Sequence, residues 1–238
     1  MNSTAQRQEE FKSRLQRVRE NIAAALARAN RRPEEITLVA VSKTHPPEMI
    51  SEAVVAGLTD FGENRVQEAE EKIPQVGPDK ARWHLIGHLQ SNKARRAVEL
   101  FDVIHSLDSA ALALKLNRYC LELGRSELPV LIQVDLAHES TKSGATADEL
   151  VRVIEAIGQS AALRLIGLMT LPPFFEDVEQ VRPFFRRLRE LRDELRTQGA
   201  FGDRPGELSM GMTHDYEIAI AEGATMLRIG TAIFGERD

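Results

Sequence analysis

The chain has 238 residues, 42% hydrophobic and 28% charged, with a single cysteine and a formal net charge of -5. That size supports a core without disulfides or structural metals, the lone Cys120 excludes a disulfide framework or a Cys-rich zinc site, and the mildly acidic balance argues against a general nucleic-acid binder. No run approaches the roughly 18–20 apolar residues that span a bilayer, and the opening MNSTAQRQEEFKSRLQ lacks the apolar region of a secretory signal, so a cytoplasmic protein is expected.

In chain order, Phe11, Leu15, Val18, Ile22 and Leu26 fall on one helical stripe over residues 4–30, closed by Arg32-Pro33. Residues 1–32 are thus predicted to form a helix that packs on the rest. Short Val/Ile/Leu-rich runs then alternate with amphipathic stretches. The first, ITLVAVS at residues 36–42, is nearly all apolar and too short for a typical helix, as a strand buried on both faces of a parallel sheet should be. Seven more strands are predicted at 59–62, 82–87, 102–106, 130–136, 163–170, 207–210 and 226–230. The plainest helix is Phe184 to Arg196, with Phe184, Leu188, Leu191 and Leu195 inward. Its arginines are read as a solvated face, with Arg186–Glu190 and Arg189–Asp193 as i,i+4 pairs. Eight strands alternating with helices predict an α/β chain, a single (β/α)8 TIM barrel over 1–238 with one additional N-terminal helix. An open doubly wound sheet is disfavoured because no G-x-G-x-x-G follows the first strand.

In a barrel of this kind ligand-binding side chains collect at the C-terminal strand ends. There the chain carries Ser42-Lys43-Thr44-His45, Glu63-Asn64-Arg65, Gly87-His88, His105-Ser106, residues 138–144, Met169-Thr170, residues 208–213 and Arg228 to Ala232. Lys43 closes an apolar strand at the barrel mouth, where partial desolvation and nearby cations favour a neutral amine able to form a Schiff base; a solvent-facing lysine is the plainer alternative. Ser209 and Gly211 after strand seven, and Gly230-Thr231 after strand eight with Arg228, occupy the usual phosphate position of such barrels. An aldehyde-binding lysine and a phosphate cup together predict a ligand with both groups, and pyridoxal 5'-phosphate (PLP) meets that description.

These segments also carry a resemblance. ITLVAVSKTHPPEMI, DFGENRVQEAEEK, WHLIGHLQSNKAR, VLIQVDLAHESTKSG, LIGLMTLPP and LSMGMTHDYEIAIAEGATMLRIGTAIFGER follow one another as in the YggS/PROSC-type pyridoxal phosphate homeostasis proteins. The resemblance implies a barrel like the N-terminal domain of alanine racemase. It further implies PLP held on Lys43, phosphate contacts from Ser209, Gly230 and Thr231, Asn64 and Met169 near the ring, and Arg228 near the phosphate or the ring nitrogen. It implies intracellular PLP homeostasis without robust catalysis, in a monomer that makes transient contact with apo PLP-dependent enzymes. Arg65, His88 and His45 stand where many relatives have Tyr, Pro and Lys, so no role is carried over to them.

A PLP-dependent amino-acid racemase is the alternative. It needs a second base, which related enzymes draw from a further domain or a partner subunit. The two tyrosines, Tyr119 and Tyr216, are expected in an outer helix and under a loop, leaving His84 or His88 as substitutes. A lysine-type aldolase is disfavoured by Lys43 lying on strand one, and Lys93 and Lys142 are the rival Schiff-base positions. His84 and His88 have i,i+4 spacing, but on a strand entering a glycine turn, so no metal site is expected.

Overall fold

The computed structural model describes residues 4–137 and 143–235. Its eight parallel strands are β1 (Thr37–Val41), β2 (Asp60–Glu63), β3 (Arg82–Leu85), β4 (Val103–Leu107), β5 (Leu128–Gln133), β6 (Leu163–Met169), β7 (Glu207–Ser209) and β8 (Met226–Ile229). Each pairs with the next, and β8 pairs with β1 to close the barrel. All eight predicted strands are present, displaced by no more than two residues at most ends, because an apolar run too short for a helix has no other way to satisfy its backbone inside a core.

The helices are α1 (Thr4–Arg28), α2 (Pro47–Val55), α3 (Val66–Val76), α4 (Ala94–Leu100), α5 (Ala110–Glu122), α6 (Ala147–Gly158), α7 (Arg182–Thr197), α8 (Tyr216–Ala221) and α9 (Thr231–Phe234). Their stripes seal the outside of the barrel. A smaller cluster of Val103, Leu131, Ile166, Met169 and Met226 fills its inside. Local signals act as expected at α6, where Thr146 and Glu149 form a reciprocal capping box. At β6, the absence of a side chain on Gly167 lets the neighbouring strand approach: a Cβ there would stand 2.2 Å from the Glu207 carbonyl oxygen.

The predicted stripe of α1 is buried at all five positions. It packs on α8 and α9. Arg14 donates to the Ile233 and Phe234 carbonyls at 3.0 and 3.2 Å, and Arg31 donates to the Ile220 carbonyl at 2.9 Å. These are C-terminal carbonyls with no partner inside their own short helices. The extra helix thereby anchors the βα unit that bears the expected phosphate cup.

Two sequence expectations for α7 are corrected. Phe185, not Phe184, is the fully buried ring, while Phe184 stacks on Phe175 with centroids 5.8 Å apart. Arg186 and Arg189 do not pair along their own helix. Together with Arg182 they converge on Glu222, beyond α8, at 2.9–3.2 Å. A buried carboxylate competes better for guanidinium groups than exposed neighbours on a helix surface, where an ion pair contributes little.

Candidate functional site

Strand period sets which side chains reach the interior. On β1, Val39 and Val41 share the inward face, since Cβ atoms placed on Gly62 and Gly230 would contact them. Lys43 continues that parity two residues beyond the strand. It is half-buried, and among the described residues it has no hydrogen-bond or ion-pair partner. Its backbone is held firmly: His45 N–H donates to the Ser42 carbonyl at 3.1 Å, closing a turn with Thr44 at φ +65°. A β-branched residue in the left-handed region stores roughly 1–3 kcal/mol of strain, and here Glu68 offsets it by accepting the Thr44 N–H at 3.0 Å.

The support for that turn was not foreseen from the sequence. Ser42 and Glu63 face outward and are fully buried under α3. Ser42 Oγ donates to Glu63 Oε1 at 2.7 Å, and Lys72 Nζ donates to the same oxygen at 2.8 Å and to the Ser42 carbonyl at 2.9 Å. Burial raises the Glu63 carboxyl above its ordinary value, although Lys72 and Ser42 pull it the other way. The only signal in the sequence was a lysine on the apolar side of an amphipathic helix.

Arg228 and Ser209 lie inside the barrel, 3% and 0% exposed. Arg228 Nη1 donates to Ser209 Oγ at 2.6 Å and Nη2 donates to the Thr170 carbonyl at 2.9 Å. Burial pushes the guanidinium down to about 10, so it is a cation at neutral pH. Among the described residues no carboxylate oxygen lies within 4.0 Å of it. Asp215 favours the charged form only through space, and two of the guanidinium's N–H groups are engaged by Ser209 and Thr170; a buried charge without a direct counter-ion is costly, so the barrel holds a cation suited to an acceptor or anion from outside the chain.

Gly230 and Thr231 open α9; the Ile233 and Phe234 N–H groups donate to the Gly230 carbonyl at 2.8 and 2.9 Å, while those of Thr231 and Ala232 have no backbone partner among the described residues. The hydroxyl beside that turn is Thr213: its Oγ1 accepts from the Ala232 N–H at 3.5 Å. Ser209 is one layer deeper, its hydroxyl engaged with Arg228 and His105. The His45 ring stacks on Phe234 at 4.9 Å and ties the Lys43 turn to α9. Met169 is fully buried and paired in register with Ser209. Asn64 is half-buried beyond β2, with its backbone pressed against Gly87, where a Cβ would stand 2.3 Å from the Asn64 carbonyl oxygen.

The seven expected residues therefore occupy the C-terminal ends of five consecutive strands, β6, β7, β8, β1 and β2. Of the rival lysines, Lys93 ends a 3-10 turn after β3, one strand beyond this arc, and Lys142 falls outside the described residues. His84 and His88 diverge. His84 is buried in the barrel, whereas His88 is exposed and 3.4 Å from Asp108. Tyr216 is buried beneath α1, and Tyr119 lies under Arg95 and Arg118 on the outer face of α5.

Comparison with known proteins bears on the family and the fold. The family model "Alanine racemase, N-terminal domain" matches residues 13–238. A pyridoxal phosphate homeostasis protein of Aquifex aeolicus is 44% identical, covering 94% of this chain and 97% of that protein. One of Escherichia coli K12 is 45% identical, with 94% and 95% covered. Among solved structures, PipY of Synechococcus elongatus with PLP bound is 42% identical at a TM-score of 0.78, covering 90% of this chain and all of that one. With a barrel of this form, this arc of side chains and identity of this extent, the chain belongs to the alanine racemase N-terminal domain family and, within it, to the pyridoxal phosphate homeostasis proteins.

Proposed function

We propose that this chain binds PLP reversibly, holds it on Lys43, and stores or delivers it to apo-enzymes without turning over a substrate. The observation that carries the reading is Arg228, a buried cation with no carboxylate in salt-bridge contact among the described residues, next to a helix start and one strand from Lys43, which has no partner among those residues. PLP fits that donor set. Its phosphate suits the first-turn N–H groups of Gly230 and Thr231 with the Thr213 hydroxyl, and its aldehyde suits Lys43. When bound, the cofactor supplies an electrophilic carbon. Lys43 would hold it there, a neutral amine being the group that such a carbon takes up reversibly.

The protein residues have separable roles. The Ser42–Glu63–Lys72 cluster and Glu68 hold the turn that aims Lys43. Asn64 and Met169 bound the ring, Ser209 fixes Arg228, and Arg228 directs its remaining N–H groups toward an acceptor. A guanidinium facing the ring nitrogen would disfavour protonation there and weaken the ring as an electron sink, which suits holding better than carbanion chemistry. The positions of Tyr119 and Tyr216 support the same reading, because neither can serve as an opposing base at the mouth.

Borohydride reduction of the PLP-loaded protein, followed by peptide mass mapping, tests the site. The pyridoxyl group is expected on Lys43, and labelling of Lys93 or Lys142 with Lys43 unmodified would refute it. Racemisation or decarboxylation of amino acids at ordinary enzyme rates would refute the carrier role, whereas transfer of PLP to an apo-enzyme would support delivery.

A further inference from the structure

Inside the barrel runs a chain of polar groups that cofactor holding alone does not require. Asp60 Oδ1 is 2.9 Å from His84 Nε2, His84 Nδ1 is 2.8 Å from His105 Nε2, and His105 Nδ1 is 2.9 Å from Ser209 Oγ. Ser209 Oγ in turn accepts from Arg228 at 2.6 Å. The chain begins at the N-terminal end of β2, where Asp60 borders a cavity of about 350 Å³ beneath α1. It ends at Arg228, four hydrogen bonds away.

Proton counting gives this chain one direction. Burial lowers both imidazoles below their ordinary range, His105 strongly, and Asp60 opposes that effect only at His84. Burial works to raise the Asp60 carboxyl, but hydrogen bonds from His84 and Thr59 outweigh it and keep it a carboxylate. Arg82 and Asp102 also act on His84, while His84, Arg228 and Arg82 all act on His105 to lower it further. A carboxylate brings no hydrogen, a neutral imidazole brings one, a hydroxyl brings one, and a guanidinium only donates. Asp60 must therefore receive the hydrogen on His84 Nε2. His84 Nδ1 is then bare and receives from His105 Nε2, His105 Nδ1 is bare and receives from Ser209, and the Ser209 oxygen receives from Arg228. With both imidazoles neutral, four contacts and four hydrogens admit no second arrangement.

We propose that Asp60 is a positioning residue that, through His84 and His105, turns the Ser209 hydroxyl hydrogen away from the ligand, so that Ser209 offers the site only a lone pair and Arg228 is the donor at that depth. Calling the upper end a ligand site rests on the cofactor reading; the direction of the chain does not. The consequence is selective. An anionic oxygen or a bare ring nitrogen is received by Arg228 and refused by Ser209, which accepts only a group that brings its own hydrogen.

Long-range proton–nitrogen NMR of 15N-histidine-labelled, ligand-free protein reads the tautomers directly. His84 and His105 are both expected as neutral imidazoles with the hydrogen on Nε2. A hydrogen on Nδ1 of either ring, or double protonation at neutral pH, would overturn the chain. Ser209→Ala should leave both tautomers in place, since the direction is set from the other end. Asp60→Leu removes the acceptor, and an orphaned buried N–H is worse tolerated than an orphaned acceptor. His105 should therefore move its hydrogen to Nδ1. Retention on Nε2 in folded Asp60→Leu would show that Asp60 does not set the direction. Because these spectra need no cofactor, a parent protein that shows both Nε2 tautomers yet fails to bind PLP would refute the proposed function and leave the hydrogen-bond direction standing.

Discussion

Replacing Lys72 with Met should cost stability in a way that depends on pH. Lys72 Nζ supplies one of the two hydrogen bonds to Glu63 Oε1, and Glu63 Oε2 has no partner among the described residues. Glu63 is fully buried, so removing the cation leaves a carboxylate held by one hydroxyl. Breaking a buried pair on one side costs about 3–5 kcal/mol. The alternative open to the variant is to protonate Glu63, at about 1.36 kcal/mol per pH unit above its ordinary value. From that value of 4.5 to pH 7, the cost is about 3.4 kcal/mol; at pH 5 it is under about 1 kcal/mol. The sign follows from Glu63 being raised in the folded state: its contribution is fully present below its unfolded value and is lost as pH rises through the folded one. Lys72→Met raises the folded value further, so its penalty should grow between pH 5 and pH 7. Urea unfolding at both pH values measures this, with an expected loss at pH 7 of about 3–4 kcal/mol, or roughly 10 °C in Tm for a chain of this length. Adding Glu63→Gln should recover most of it, because the buried charge is then gone. A loss below about 1 kcal/mol at pH 7, equal losses at the two pH values, or no recovery in the double variant would refute the argument.

Gly87→Ala would place a Cβ 2.3 Å from the Asn64 carbonyl oxygen and 2.8 Å from its Cα; because backbone must move, a loss of about 1–3 kcal/mol and weaker PLP binding are expected by unfolding and titration. Glu222→Gln removes the common counter-charge of Arg182, Arg186 and Arg189, and since these arginines are partly exposed the loss should be only about 1–2 kcal/mol. Burial works to raise Glu222, but the arginines outweigh it and hold it below its ordinary 4.5, so its contribution is present above that value and lost as pH falls through the lowered one. Acid unfolding curves of parent and variant should accordingly converge below about pH 4.

Much of the fold was legible because each element carries its own cue. The i, i+3, i+4 stripe of α1 and the short apolar run of β1 each admit one conformation, and eight such runs separated by helices admit few topologies. Lys43 and the Gly230-Thr231 pair were legible for a related reason, since residues that end a strand in a barrel must lie at its mouth. Pairings across elements were not. Nothing local in α7 says that Arg186 and Arg189 prefer Glu222 to carboxylates on their own helix; the outcome depends on how deeply that glutamate is buried. Thr213 stood four residues from Ser209 in the same loop, and that it meets the Ala232 N–H while Ser209 meets Arg228 depends on the depth at which β7 ends.

By itself, then, the sequence determined the barrel, the extra helix and the placement of Lys43 and Gly230-Thr231 at one mouth of the barrel, because hydrophobic period and strand-end placement are local properties of the chain. The tertiary structure decided what surrounds them: the Lys72 cluster beneath the lysine turn, the burial of Arg228 against Ser209 and Thr170, and the Asp60–His84–His105–Ser209 line through the interior. These depend on burial and on distances between strands far apart in the chain, and a buried charge or hydrogen takes its direction from neighbours that only closure of the barrel brings together.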